Sequence, residues 1–298
     1  MSATSRQATR LGIAMGLGAY TLWGLLPLLI RLQRPLTAAG ILAHRIVWSL
    51  LVLIALAFVL KRWPAVRAAL ARPRLALALC ASTLVVGGNW LLYVHAVNSG
   101  QVMEASLGYY INPLVNVLLG VVVLRERLGR PEIVAVLLAA AGVTALAVHQ
   151  GAIPYIPLGL AFSFGLYGLI RKLIGMGPVE GLLIETGLMA PVALLWLATQ
   201  PILPPGVAGP PLWLLMLAGA VTIAPLLLFA GAANRIRYSE LGLLQYIGPT
   251  IQMLLAVFLF GERLLPIHLI TFGLIWSGLA LYVAATWHRG RVTPTMPE

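Results

Sequence analysis

Apolar residues run unbroken for close to twenty positions at a time, and most Arg and Lys fall in the short gaps between the runs. The runs cover residues 11–30, 38–60, 75–97, 105–124, 133–148, 157–170, 181–199, 212–233, 241–260 and 266–287. Their length suits an α-helix crossing about 30 Å of hydrocarbon. Membrane strands would instead alternate apolar and polar residues over about ten positions. The pattern predicts ten transmembrane helices. The sixth run is short, with room to extend toward Ile153 or Lys172. The connections are tight and several carry turn residues: Pro35, Pro131, Gly151 to Pro154, and Pro201 to Pro211. No gap is long enough for a soluble domain. The first run is too long for a signal peptide and lacks a small-residue cleavage site, so it reads as the first span.

One stretch occurs twice. EASLGYYINPLVNVLLGVVVLRERL at 104–128 returns, 136 residues later, as ELGLLQYIGPTIQMLLAVFLFGERL at 240–264, with eleven of twenty-five positions identical. Asn98/Asn234 and Gly142/Gly278 keep the same offset. This marks an internal duplication, with halves at about 1–150 and 151–298. Five spans per half is an odd number, so the second half enters from the opposite side. Glu126-Arg127 then lies at one face of the membrane and its twin Glu262-Arg263 at the other. Halves of opposed topology place a binding site near the midplane where they meet.

Composition agrees. Hydrophobic residues make up 60% of the 298 residues and charged residues 9%, against about 25% charged in soluble domains. So few charges cannot cover a soluble surface, and a backbone in lipid must satisfy itself in helices or a closed barrel. The net charge of +12 is a matter of topology. With the N-terminus inside, sixteen Lys and Arg flank the cytoplasmic ends and three (Arg31, Arg34, Arg263) the outer ends. The positive-inside bias therefore predicts cytoplasmic termini. The bases are spread over several loops, which argues against a nucleic-acid partner.

Ten spans in two five-span repeats, short loops and a repeated span ending in RER or GER resemble the drug/metabolite transporter superfamily, specifically its EamA-type members. LAHRIVWS, GGNWLLYVHAVN, EASLGYYINPLVNVLLG, LGLAFSFGLYGLIRK, LIET and LQYIGPT resemble the RarD-type permeases of bacteria. The resemblance extends over about residues 12–287. It implies a bacterial inner-membrane permease, of a kind often labelled chloramphenicol-related or drug-exporting. Small four-span multidrug members of the superfamily use a carboxylate in the first helix. LGIAMGLGAYTLWGLLPLLI has none, so their proton-antiport mechanism does not carry over.

Polar residues within the spans are the candidate substrate-binding set. His44 and Arg45 sit in the second run, where a mid-span charge costs about 2.5–3.5 kcal/mol on insertion scales and usually faces a cavity or partner. Trp48 shares the face of His44. A helix-packing pair held by carbonyls is the other reading. Glu185, the carboxylate well inside a span, is a proton-coupling candidate or a fixed ion pair. Tyr109, Asn112 and Asn116 form a polar stripe whose repeat equivalents are Gln245, Gly248 and Gln252. Pro113 and Pro249 beside it remove backbone donors and free carbonyls. Cavity lining and interhelical bonding both fit this stripe. Tyr110 and Tyr246 point partly to another face. Asn89 with Tyr93, and Trp23 and Tyr167, are further lining candidates. Tyr155, Trp213 and Trp287 suit an interfacial belt.

Other chemistry is thin. The sequence has no Asp, no HExxH, P-loop or EF-hand pattern, a single Cys80, and five His that do not cluster. No metal, cofactor or ATP-binding partner is expected. The expected partners are a small organic solute and membrane lipid. The function this predicts is secondary transport by alternating access, with export implied by the resemblance. Facilitative uptake of an amino acid or metabolite is the alternative within transport. A membrane-embedded enzyme, with His44 and Glu185 as its acid-base pair, and a lipid scramblase are alternatives outside it.

Overall fold

The computed structural model describes residues 3–292, apart from 126–128, 202, 204, 234 and 237–243. The described residues contain helices and no strands. In chain order they are α1 (Ala3–Leu32), α2 (Ala38–Val59), α3 (Trp63–Leu70), α4 (Pro73–Asn98), α5 (Val102–Leu124), α6 (Arg130–Gln150), α7 (Tyr155–Ile174), α8 (Pro178–Thr199), α9 (Leu212–Ala233), α10 (Ile247–Leu254) and α11 (Pro266–Val292). A π-helical turn, Leu255–Leu259, continues α10.

Eight helices are long and apolar enough to cross a membrane: α1, α2 and α4 to α9. Shorter apolar helices, Ile247–Leu259 and Pro266–Leu281, occupy the ninth and tenth runs. This is an all-helical, multi-pass membrane protein. The helix ends follow local chemistry. Thr37 caps α2 by accepting a 3.1 Å bond from the Gly40 amide. Proline opens α4, α6 and α8, where its missing N–H would be unpaired anyway. α7 runs beyond the sixth apolar run, to Ile174. α3, which the apolar runs did not predict, is an eight-residue amphipathic helix with Val66 and Ala69 buried. The start of the ninth run and the Glu126-Arg127, Asn234 and Glu240 positions of the repeat lie outside the described residues.

Outward faces are apolar and exposed, as a lipid solvent permits: Leu84 is 78% exposed and Phe258 81%. The main packing pairs join residues before 151 to residues after it: α6 with α11, α5 with α7, α2 with α8 and α9, and α1 with α9 and α10. α2 and α9 touch backbone to backbone, since a Cβ at Gly219 would lie 2.5 Å from the Trp48 carbonyl carbon.

Bonds between helix ends divide them into two groups. In one, Gln33 reaches the Leu214 carbonyl at 3.3 Å, and Arg34 bonds Asn98. Gln150 bonds Glu104 at 2.9 Å, His268 lies 3.8 Å from Glu104, and Glu262 accepts the Val102 and Met103 amides, each at 2.8 Å. In the other group, Arg62 pairs with Glu180 at 3.2 Å and Gly12 packs on Arg235 and Ile236.

Candidate functional site

None of the twelve candidate residues is exposed: Arg45, Asn89, Tyr93, Asn112 and Glu185 are buried, and the other seven are half-buried. The structure gathers some of them and separates others.

The first gathering is around Arg45, which is 4% exposed. Its Nε donates to Thr222 Oγ1 of α9 at 3.2 Å, and its guanidinium carbon lies 5.5 Å from the centre of the Trp90 ring of α4. Thr222 in turn donates to the Ala218 carbonyl at 2.7 Å. The phenols of Tyr93 (α4) and Tyr109 (α5) are the electrostatic neighbours of Arg45. Their rings meet edge to face at 5.6 Å, and Tyr109 meets Phe164 of α7 at 6.1 Å. Trp48, one turn beyond Arg45, packs on Gly219, one turn before Thr222. Arg45 Nη1, Tyr93 Oη and Trp48 Nε1 are buried without a hydrogen-bond partner. His44, on the adjoining face, is half-buried. This centre draws on α2, α4, α5, α7 and α9. Trp90 and Thr222 belong to it and were not singled out in the sequence. Trp90 lies three residues before Tyr93, a helical spacing that shared its face all along.

A second group surrounds Glu185, which has no exposed surface. Ser82 of α4 donates to its Oε1, Tyr167 of α7 donates to its Oε2 at 3.1 Å, and Arg171 Nη1 lies 3.7 Å from Oε1. Arg171 also bonds the Gly177 carbonyl at 3.0 Å. Gly181 leaves room for this arrangement, because a methyl there would overlap the Arg171 guanidinium and push it aside. Arg171 counted in the sequence only as a cytoplasmic flanking charge. The Glu185 carboxylate is fully engaged, the form expected of a fixed ion pair.

The matched stripe ties helices together. Asn112 donates to the Ala161 carbonyl of α7 at 3.1 Å and accepts from Asn116 at 3.2 Å. In the other copy Gln252 donates to the Trp23 carbonyl of α1 at 3.2 Å. Asn89 likewise bonds Leu160 and Ser163 of α7. Trp23 sits in an aromatic group with Tyr20 and Phe229. Tyr246 stacks on Tyr110 at 6.2 Å, and Gln245 is half-buried in the turn before α10. Trp23, Gln245 and Tyr246 are thus placed apart from the Arg45 contacts.

Outside the spans, burial pushes the Glu262 carboxyl above its ordinary pKa, against the two amide donors and Arg31. Among the described residues no group of three or more His, Cys or Glu is placed to hold a metal ion.

A bundle of apolar helices around a buried polar centre fed from both ends of the chain is the build of a membrane carrier. The EamA-like transporter family model matches residues 10–148 and 152–284. The chain belongs to the EamA-like transporter family, on its RarD-type branch. It is 46% identical to Protein RarD of Salmonella typhimurium, over 92% of this chain and 95% of that one. It is 43% identical to an uncharacterized transporter of Vibrio cholerae, over 93% of each. A solved crystal structure at 23% identity superposes with a TM-score of 0.58, covering 92% of this chain and 97% of the other, and shares the fold.

Proposed function

We propose that this chain is an inner-membrane secondary transporter that carries a small organic solute by alternating access about the Arg45 centre. The observation that carries this reading is the convergence of α2, α4, α5 and α9 on one buried cation with unpaired donors. Of the candidate set, His44, Arg45, Trp48, Tyr93 and Tyr109 make up this centre, Asn89 and Asn112 border it through α7, Tyr167 and Glu185 form the neighbouring group, and Trp23, Gln245 and Tyr246 stay outside it.

Ten crossings in two inverted halves are part of the proposal. Its support is the sorting of helix ends. Arg235 lies beside Gly12, while Glu262 bonds Val102 with the opposite group of helix ends, which favours a crossing by the described helix from Ile247 to Leu259. α11 then returns along α6, with Thr271 on the Gly142 carbonyl at 3.2 Å and Gly278 against Ala135. Helix partners also exchange as a pseudo-two-fold requires, α5 with α7 matching α10 with α1. The charge bias puts both termini in the cytoplasm.

Export is the direction implied by the resemblance, and facilitated movement the favoured mode. Glu185 remains the candidate proton carrier, but its two hydroxyl donors and Arg171 weigh toward a fixed role. The test is protein reconstituted in liposomes, with solutes chosen by comparing the metabolites of cells with and without the chain. Counterflow without ATP is expected. Accumulation against a gradient that a protonophore collapses would make the carrier proton-coupled, and absence of any flux would refute transport.

A further inference from the structure

The geometry points to an organic anion as the solute, with its carboxylate, or an acidic group of like shape and charge, held by the Arg45 guanidinium. This rests on the transporter reading for its biological sense, but it stands on the balance of charges and hydrogen bonds at the site.

Two guanidinium groups enter the described interior, Arg45 and Arg171, and Glu185 serves only the second. No carboxylate among the described residues lies within ion-pair distance of Arg45. Its contacts are a hydroxyl and the face of an indole, which soften the charge and do not neutralise it. Among the candidate residues the unpaired groups able to donate outnumber the one unpaired acceptor, Asn89 Oδ1, three to one. Arg45 Nη1, Tyr93 Oη and Trp48 Nε1 are all able to donate, while the Thr222 hydroxyl proton is spent on Ala218. A buried cation with surplus donors is complementary to an oxyanion. A cationic solute would meet Arg45 with like charge, and a neutral amide would leave the guanidinium uncompensated. Holding Arg45 unbalanced between transport events keeps the site receptive: an internal carboxylate would compete with the solute.

The test uses the whole protein in detergent and a panel of about a dozen small organic acids, aliphatic and aromatic, each paired with its primary amide and its amine. Benzoate, benzamide and benzylamine are one such set. Binding is read from thermal unfolding and tryptophan fluorescence. At least one acid should bind tenfold or more tightly than its amide. Arg45→Ala should erase that preference. Arg45→Lys should keep part of it, since lysine retains the charge and loses the fork. No acid preferred over its amide, or a preference unchanged in Arg45→Ala, overturns the assignment. The wild-type comparison decides the matter even if a variant folds poorly. Acid binding without flux of any panel member would sink the transporter reading alone. Amide or amine flux equal in wild type and Arg45→Ala would sink the anion assignment alone.

Discussion

Arg45 and Glu185 are both buried charges, and their surroundings differ. Arg45 has a hydroxyl, a ring face and unpaired donors about it; Glu185 has two hydroxyl donors and an opposite charge, Arg171, beside it. Removing one member of a buried pair strands the other, at about 3–5 kcal/mol. Glu185→Gln should therefore lower the unfolding temperature in detergent, and Arg171→Gln in the same chain should restore much of the loss. Additive losses would mean that the pair is not coupled. Gly181→Ala should reproduce part of the Glu185→Gln loss by pushing Arg171 aside. Arg45, Tyr93 and Tyr109 were legible in the sequence because polar groups inside apolar runs announce themselves. Thr222 was not, since a threonine that bonds its own helix carbonyl carries no outward sign of a tertiary partner. Trp90 was silent because indole serves packing and interfaces equally well.

At the scale of elements, close backbone approach and helix-end capping set the frame. Gly219→Ala forces a methyl into the Trp48 backbone, an overpacking of about 1–3 kcal/mol. It should separate α2 from α9 and loosen the Arg45–Thr222 bond. Reduced thermal stability with an altered Trp48 emission would register it; an unchanged protein would deny the close crossing. Glu262→Ala removes the acceptor of two α5 amides, a cap worth about 0.5–2 kcal/mol, and should raise hydrogen exchange at Val102 and Met103 selectively. The long apolar runs made eight helices readable. α3 escaped because eight residues with Arg67 among them and Arg62 before them show neither a run nor a long period. α7 outran its apolar stretch because Arg171 finds carbonyl and carboxylate partners within the bundle.

For the whole molecule, the duplicated block supplied the expectation of a two-part plan, and five spans per half that of opposed halves. What the sequence lacked was depth: periodicity places a residue on a face, and only packing decides which faces meet. Hence the separation of Trp23 and Tyr246 from the Arg45 contacts was not foreseeable. With Cys80 replaced, single cysteines at Ala152 and Pro205 should react with impermeant thiol reagents on intact cells, and one at Arg67 only after lysis. Reaction of Arg67→Cys in intact cells would reverse the orientation. The most direct test of alternating access is a single cysteine at Thr222 in the same Cys80-free background. Right-side-out and inside-out vesicles are each exposed to a negatively charged, impermeant thiosulfonate. A site that opens in turn to both sides predicts modification in both preparations, slowed by a bound solute. Modification from one side only, or from neither, would contradict it.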